Sequence, residues 1–198
     1  MIRIFAICSL LLFAGCASNP MIVAPQQTVQ QPDNDKSQVV FMRSSFVGSA
    51  INASLYDVTN GEIKYLGIIA NNTKIAYETT PGKHTFMVVS EAADFMEAEL
   101  GTGKNYFSIA TPRMGAWKAR FSLWPIKKGS NSEYHTDMPE CQTWVSNTKL
   151  MENTAQSKAW YEKNKNSVKQ KYDKYYPAWK NKSEAEIEKR TLNIDDGL

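Results

Sequence analysis

Between Gln38 and about Lys128 the chain is a succession of short apolar or alternating runs separated by turn residues. The runs QVVFMRSS (38–45), INASLYDV (51–58), EIKYLGIIA (62–70), KIAYETT (74–80), HTFMVVSE (84–91), DFMEAEL (94–100), NYFSIATPR (105–113) and WKARFSLWPI (117–126) have the length and residue types of strands. Asn60-Gly61, Asn71-Asn72, Pro81-Gly82 and Gly101-Thr102-Gly103 punctuate them. Asn60-Gly61 is the strongest hairpin signal, because both residues tolerate the positive φ of a type I′ turn. Ile51, Ala53 and Leu55 share one pleat face. Trp117, Ala119, Phe121 and Leu123 share another, with Lys118 and Arg120 pointing away. The FMVV run is apolar on both faces and suits a central strand. The pattern predicts a mainly β fold, an antiparallel β-sandwich of immunoglobulin or transthyretin type over residues 38–128.

After Pro125 the period changes. Residues 129–146 are polar and read as a loop. Residues 147–198 read as a C-terminal helical extension, since residues 148–176 are rich in helix formers and hold no Gly or Pro. Trp160, Val168, Tyr172, Tyr175 and Trp179 fall on one stripe of such a helix, and Pro177 is expected to end or kink it at Tyr176. Ser183 with Glu186 resembles a capping box that opens a last short helix.

The first residues are apolar as well, but in a different way. Arg3 precedes an apolar stretch from Ile4 to Phe13, about half of the ~20 residues a membrane-spanning helix needs, and small residues follow. This reads as an export signal over 1–15. Ala14-Gly15-Cys16 resembles the lipobox of bacterial lipoproteins, with Phe13 where that family most often has Leu. The resemblance implies that Cys16 receives a diacylglycerol, that the signal is cut before it, and that its new amino group is acylated. Acyl chains at ~0.8 kcal/mol per buried methylene hold such a protein on a membrane. Ala17 stands where Asp would mark inner-membrane retention, so the implied address is the periplasmic face of the outer membrane. The alternative is a plain signal peptide with an incidental cysteine. Residues 16–37, with Pro20, Pro25, Pro32 and a run of glutamines, read as a lipidated flexible tether.

Net charge is +3, or +2 without Arg3, which is too mild to imply a nucleic-acid partner. Cys8 leaves with the signal and Cys16 carries lipid, so Cys141 remains as a thiol without an internal disulfide partner. Beside Trp144 and Val145, it reads as a small hydrophobe.

The segments VVFMRSS, LYDVTNGEIKYLG, TPGKHTFMV and RMGAWKARFSLWP together resemble a family of uncharacterised Gram-negative lipoproteins built on a small β-sandwich. Pro81-Gly82-Lys83-His84-Thr85-Phe86 is similar to the Pro-Gly-x-His hairpin of surface-layer (PEGA-like) and carboxypeptidase-regulatory-like modules, which bind or space rather than catalyse. The resemblance implies a fold and an address, and no activity.

Candidate chemistry is sparse. His84 reads as a strand-end histidine without an adjacent nucleophile or carboxylate. His135, Asp137, Glu140 and Cys141 are metal-ligand types in one local group, without the paired spacing of a zinc site, so no metal and no cofactor other than the covalent lipid on Cys16 is expected. Glu97 and Glu99 share a strand face through alternation alone. The expectation is a non-catalytic binding or interaction module. Its candidate surface is Trp160, Tyr172, Tyr175, Tyr176 and Trp179 with Lys163, Lys165, Lys169 and Lys171, within a segment of eight lysines against Glu162 and Asp173. Its partners would be the membrane through the lipid, and an envelope protein or peptidoglycan. The aromatic stripe could equally dock on the chain's own β domain. Two rivals stay open: a small-ligand carrier with a cavity between the sheets, and an envelope hydrolase with His84 or His135 beside an acid in a pocket.

Overall fold

Strands that are apolar at successive positions need cover on both faces, and the architecture follows from that need. The computed structural model describes residues 19–45, 47–113, 120–129 and 131–198. The export signal and Cys16 lie outside the described residues, as do Trp117, Lys118 and Ala119 of the last expected strand. In chain order the elements are β1 (Ile22–Val23), β2 (Ser37–Arg43), β3 (Ala53–Asp57), β4 (Lys64–Ile69), β5 (Thr73–Thr79), β6 (Gly82–Val89), β7 (Ala93–Leu100), β8 (Asn105–Arg113) and β9 (Arg120–Ile126). There follow α1 (Pro139–Asn147), β10 (Lys149–Glu152), α2 (Ala155–Lys180), α3 (Glu184–Glu188) and β11 (Thr191–Leu192). The chain is mainly β, with a C-terminal helix, and each expected run from 38 to 126 contains a strand.

The strands form two sheets, ordered β1-β10-β5-β2-β8-β9 and β11-β7-β6-β3-β4. Val39, Phe41, Leu55, Phe86, Val88, Met96, Phe121 and Leu123 meet between them in one core. The outer face of the second sheet offers Tyr56, Met87, Val89 and Phe95, which α2 covers with Val168 and Trp179. The outer face of the first offers Val40, Met42 and Ile109, which α1 covers with Cys141. The FMVV run is thereby divided, with Phe86 and Val88 inward and Met87 and Val89 under α2.

Several expectations need correction. The sheets are mixed, because β2–β8, β5–β10 and β7–β11 pair in parallel. Strands of both sheets, β3 to β7, lie between β2 and β8, and so long a connection allows the parallel direction that a tight hairpin forbids. The two-residue strands β1 and β11 close one edge of each sheet and keep those edges short. Asn60 and Gly61 have φ of 57° and 83°, as the turn chemistry requires, although the loop between β3 and β4 is longer than two residues.

Residues 19–36 are not a free tether. Met21 and Ala24 are buried, and Ile22 and Val23 pair with Glu152 and Met151. The glutamines that read as flexible linker act as side-chain strand partners: Leu150 N donates to Gln27 Oε1 at 2.8 Å, and Asn105 Nδ2 donates to Gln31 Oε1 at 2.8 Å. Gly67 makes the docking possible. A Cβ there would stand 2.9 Å from Met21 Cε and 2.8 Å from Ile75 Cδ1. The expected loop 129–146 contains α1, and the expected helical extension opens with strand β10. Pro177 does not end α2, which runs on to Lys180. It lies close to the helix end, where burial of Trp179 holds the remaining residues in place.

Candidate functional site

The sequence Asn153-Thr154-Ala155-Gln156-Ser157 starts α2 with a reciprocal cap. Ser157 N donates to Thr154 Oγ1 at 3.1 Å, and Thr154 N donates to Ser157 Oγ at 2.8 Å. The Thr154 hydroxyl also donates to Pro20 O at 2.7 Å, and Asn153 Nδ2 donates to Leu66 O at 2.7 Å. The start of the helix is therefore fixed to β4 and to the N-terminal segment together. From there α2 runs 26 residues, ~39 Å, across the second sheet.

Its apolar stripe does not contact the sheet evenly. Near the C-terminal end Trp179 is 3% exposed, and its Nε1 donates to Glu97 Oε1 at 2.8 Å. Phe95 of β7 meets Tyr172, Tyr176 and Trp179 at ring distances of 6.1, 5.2 and 5.9 Å. Nearer the N-terminal end Tyr161 stacks on Tyr65 at 5.0 Å, and Trp160 leans on the same ring at 6.2 Å. Beside Trp160 a groove of about 380 Å³ stays open between α2 and the sheet. Pro20, Ile51, Ile68, Val89, Trp160 and Val168 wall it; Asn164, Ser167 and Lys171 give it a polar side. Ser54, on the face of β3 that Tyr56 shares, is a small residue at the groove's edge, and Ile51 stands 40% exposed there.

The residues expected to form an adhesive surface thus divide. Trp179 is buried, and Tyr172, Tyr175 and Tyr176 are half-buried against the sheet, so this aromatic end is a docking element rather than a free one. Trp160 is half-buried and lines the groove. Lys163, Lys165 and Lys169 face solvent, with Lys165 paired to Glu162 at 2.8 Å and Lys169 to Asp173 at 2.7 Å. Lys171 is half-buried at the groove rim.

His84 is neither strand-end decoration nor alone. It is buried, with Nδ1 3.1 Å from Asp57 Oδ2 and Nε2 2.9 Å from Thr80 O. Both partners are acceptors, an arrangement that favours the doubly protonated ring. Burial lowers its proton affinity, but Asp57 and the Thr80 carbonyl outweigh burial and raise it above the ordinary value. Burial likewise pushes the Asp57 carboxyl up, yet His84 and Thr59 hold it down at about 2. Tyr77 also donates to Asp57, at 3.0 Å. His84 borders an open groove with Glu97 and Glu99, the setting a hydrolase would want. Both ring nitrogens nevertheless have partners within the fold, and Glu97 accepts from Trp179 and Thr85.

Arg43 escaped the sequence reading, although a guanidinium ending the run VVFM is a signal in itself. It is buried over the Phe121 ring at 4.2 Å and donates to the carbonyls of Gly48, Ile51 and Ile69. Burial lowers its pKa to about 10. The side chain thereby fixes Ile51, a wall of the groove. Among the described residues no group of three metal-ligand side chains gathers, and Cys141 is buried on the sheet-facing side of α1, with burial pushing its thiol up. No described helix is long and apolar enough to cross a membrane. No family model matches the chain, and no curated protein matches it in sequence.

Proposed function

We propose that this chain is a lipoprotein of the Gram-negative outer membrane, anchored through Cys16 on the periplasmic face, and that it acts as a non-catalytic binding component for an anionic envelope partner. The observation that carries the binding part is the double use of α2. The helix fastens itself by its aromatic stripe and still presents Lys163, Lys165 and Lys169 to solvent beside an unfilled apolar groove. A helix that served only as cover would also carry a charged solvent face, but would leave no groove beside it. The occupied nitrogens of His84 support the non-catalytic part. The space between the sheets is filled by large side chains, so a small-ligand carrier would have to use the groove under α2 instead. Two packed sheets with a shared core support the β-sandwich part of the resemblance.

The anchor is tested by mass spectrometry of protein extracted from membranes. The mature chain should start at Cys16 with added acyl mass, and Cys16→Ser should yield an uncleaved or unlipidated product. A mature terminus elsewhere, without lipid, defeats the proposal. Binding is tested by co-sedimentation of the detergent-purified protein with peptidoglycan sacculi, whose carboxylates supply the anionic surface.

A further inference from the structure

We infer that the groove beneath the first half of α2 receives an acyl chain carried by Cys16 of the same molecule. The inference rests on the lipoprotein reading above and adds to it a place for the lipid.

The covalent path is short. Cys16 stands three residues before Asn19, a span of at most ~11 Å of extended chain. Asn19 is held on the body, its Nδ2 donating to Ile68 O at 3.2 Å. Pro20, the next residue, is itself a wall of the groove, and its carbonyl accepts from the Thr154 hydroxyl. The chain therefore leaves the folded body at the groove, not at the end of a long linker. The lining suits an alkyl chain: Ile51, Ile68, Val89, Trp160 and Val168 offer apolar surface, and the volume of about 380 Å³ lies within the ~300–1,000 Å³ of small-ligand sites. An alkyl chain asks for no polar partner; the polar lining, Asn164, Ser167 and Lys171 on the helix and Asn52, Ser54, Ser90 and Glu91 opposite, leaves the apolar strip from Ile51 to Val168 for it. A chain attached three residues away also competes at a high effective concentration against any free ligand. While one acyl chain lies in the groove, the others remain available to the bilayer.

The test uses the full-length protein, made in a Gram-negative host fed a fatty acid with a diazirine near its far end, purified in detergent and illuminated. The mass of the N-terminal peptide reports acylation independently of the crosslink. The expected result is acylated Cys16 joined within one molecule to peptides containing Ile51–Ser54 or Trp160–Val168. Ser167→Trp, from an exposed position, fills the groove and should abolish that adduct without altering the melting curve. Ile51→Glu, at a partly exposed wall, should do the same. Acylated Cys16 with adducts only to detergent or lipid, or joining two copies of the chain, overturns the inference and leaves the anchor intact. A groove adduct that survives both variants overturns it as well. Cys16 without acyl mass removes the anchor and this inference together.

Discussion

The two halves of α2 lie on one sheet and are closed to different degrees. From Tyr172 to Trp179 the helix meets Phe95, a single large ring that touches three aromatic side chains, and the indole of Trp179 reaches Glu97. From Trp160 to Lys171 the same helix borders a groove that Ser54 and Val89 line from the sheet. The stripe on the helix steps by eight from Trp160 to Val168, with Asn164 in the gap, and by four, three and four from there to Trp179. The difference therefore has two sides: a polar residue interrupts the stripe in the open half, and the sheet opposite it offers the small Ser54 where the closed half meets Phe95. Open surface is thereby left at the N-terminal half, the half to which the proposal assigns binding, whereas the aromatic cluster is spent on docking.

The largest effect should separate the halves directly. Trp179→Ala removes a buried ring and the donor to Glu97, and should cost ~3–5 kcal/mol in urea unfolding followed by circular dichroism. Trp160→Ala removes a half-buried ring at the groove and should cost about 1 kcal/mol, a fraction of the ~1.5–3 kcal/mol of full burial. Equal costs would break the comparison.

Next comes Arg43. In Arg43→Leu the carbonyls of Gly48, Ile51 and Ile69 lose a charged donor, while the cost of burying a guanidinium disappears. Against ~1.5–3 kcal/mol for one hydrogen bond to a charged group, the net loss should be about 2 kcal/mol. Hydrogen exchange sharpens the comparison: protection should fall at Ile51–Ala53 beside the groove and stay unchanged at Tyr172–Trp179. Equal loosening of both regions would mean that Arg43 supports the whole domain rather than the open half.

A smaller effect belongs to pH. His84 binds its proton more tightly in the folded chain than at the ordinary 6.5, so its stabilisation is complete below 6.5 and fades as pH rises through the raised value. Asp57 is held at about 2 instead of 3.8, so its contribution is complete above 3.8 and fades as pH falls toward 2. Melting temperature should therefore be highest between 3.8 and 6.5 from this pair. His84→Gln should flatten the alkaline limb, and Asp57→Asn should flatten both limbs. An alkaline limb unchanged by His84→Gln would assign it to another group. The pair lies at the far end of β3 from Ala53, so crosslinking in the groove should not follow this profile.

How much of this the sequence carries depends on whether the signal is local. The runs from 38 to 126 announce their strands because alternation and turn residues act within a few positions, and the stripe through Trp160, Val168 and Trp179 announces a helix for the same reason. Parallel pairing of β2 with β8 is a relation between distant segments, and no local period encodes it. Gln27 and Gln31 read as linker because their partners, Leu150 and Asn105, are far away in the chain. Asp57 was missed beside His84 for that reason, standing 27 residues off. The groove is less legible still, since it depends on Pro20, Ala53 and Val168 coming together.

The smallest effect on stability, and the one that isolates recognition, comes from the lysines. Replacing Lys163, Lys165, Lys169 and Lys171 together by Gln removes two exposed ion pairs, each worth ~0.3–0.5 kcal/mol on a helix surface, so unfolding should shift by less than about 1 kcal/mol. If the solvent face of α2 holds an anionic partner, the same change should weaken co-sedimentation with sacculi strongly. The native protein's binding should also decline with added salt, because exposed charges are screened over ~8–10 Å near physiological ionic strength. Trp160→Ala, which alters the groove and leaves these charges in place, should bind with an unchanged salt dependence. Binding by the Gln variant equal to the native protein's, at equal stability, would leave the lysines as solvated cover and would limit the working surface of α2 to the groove.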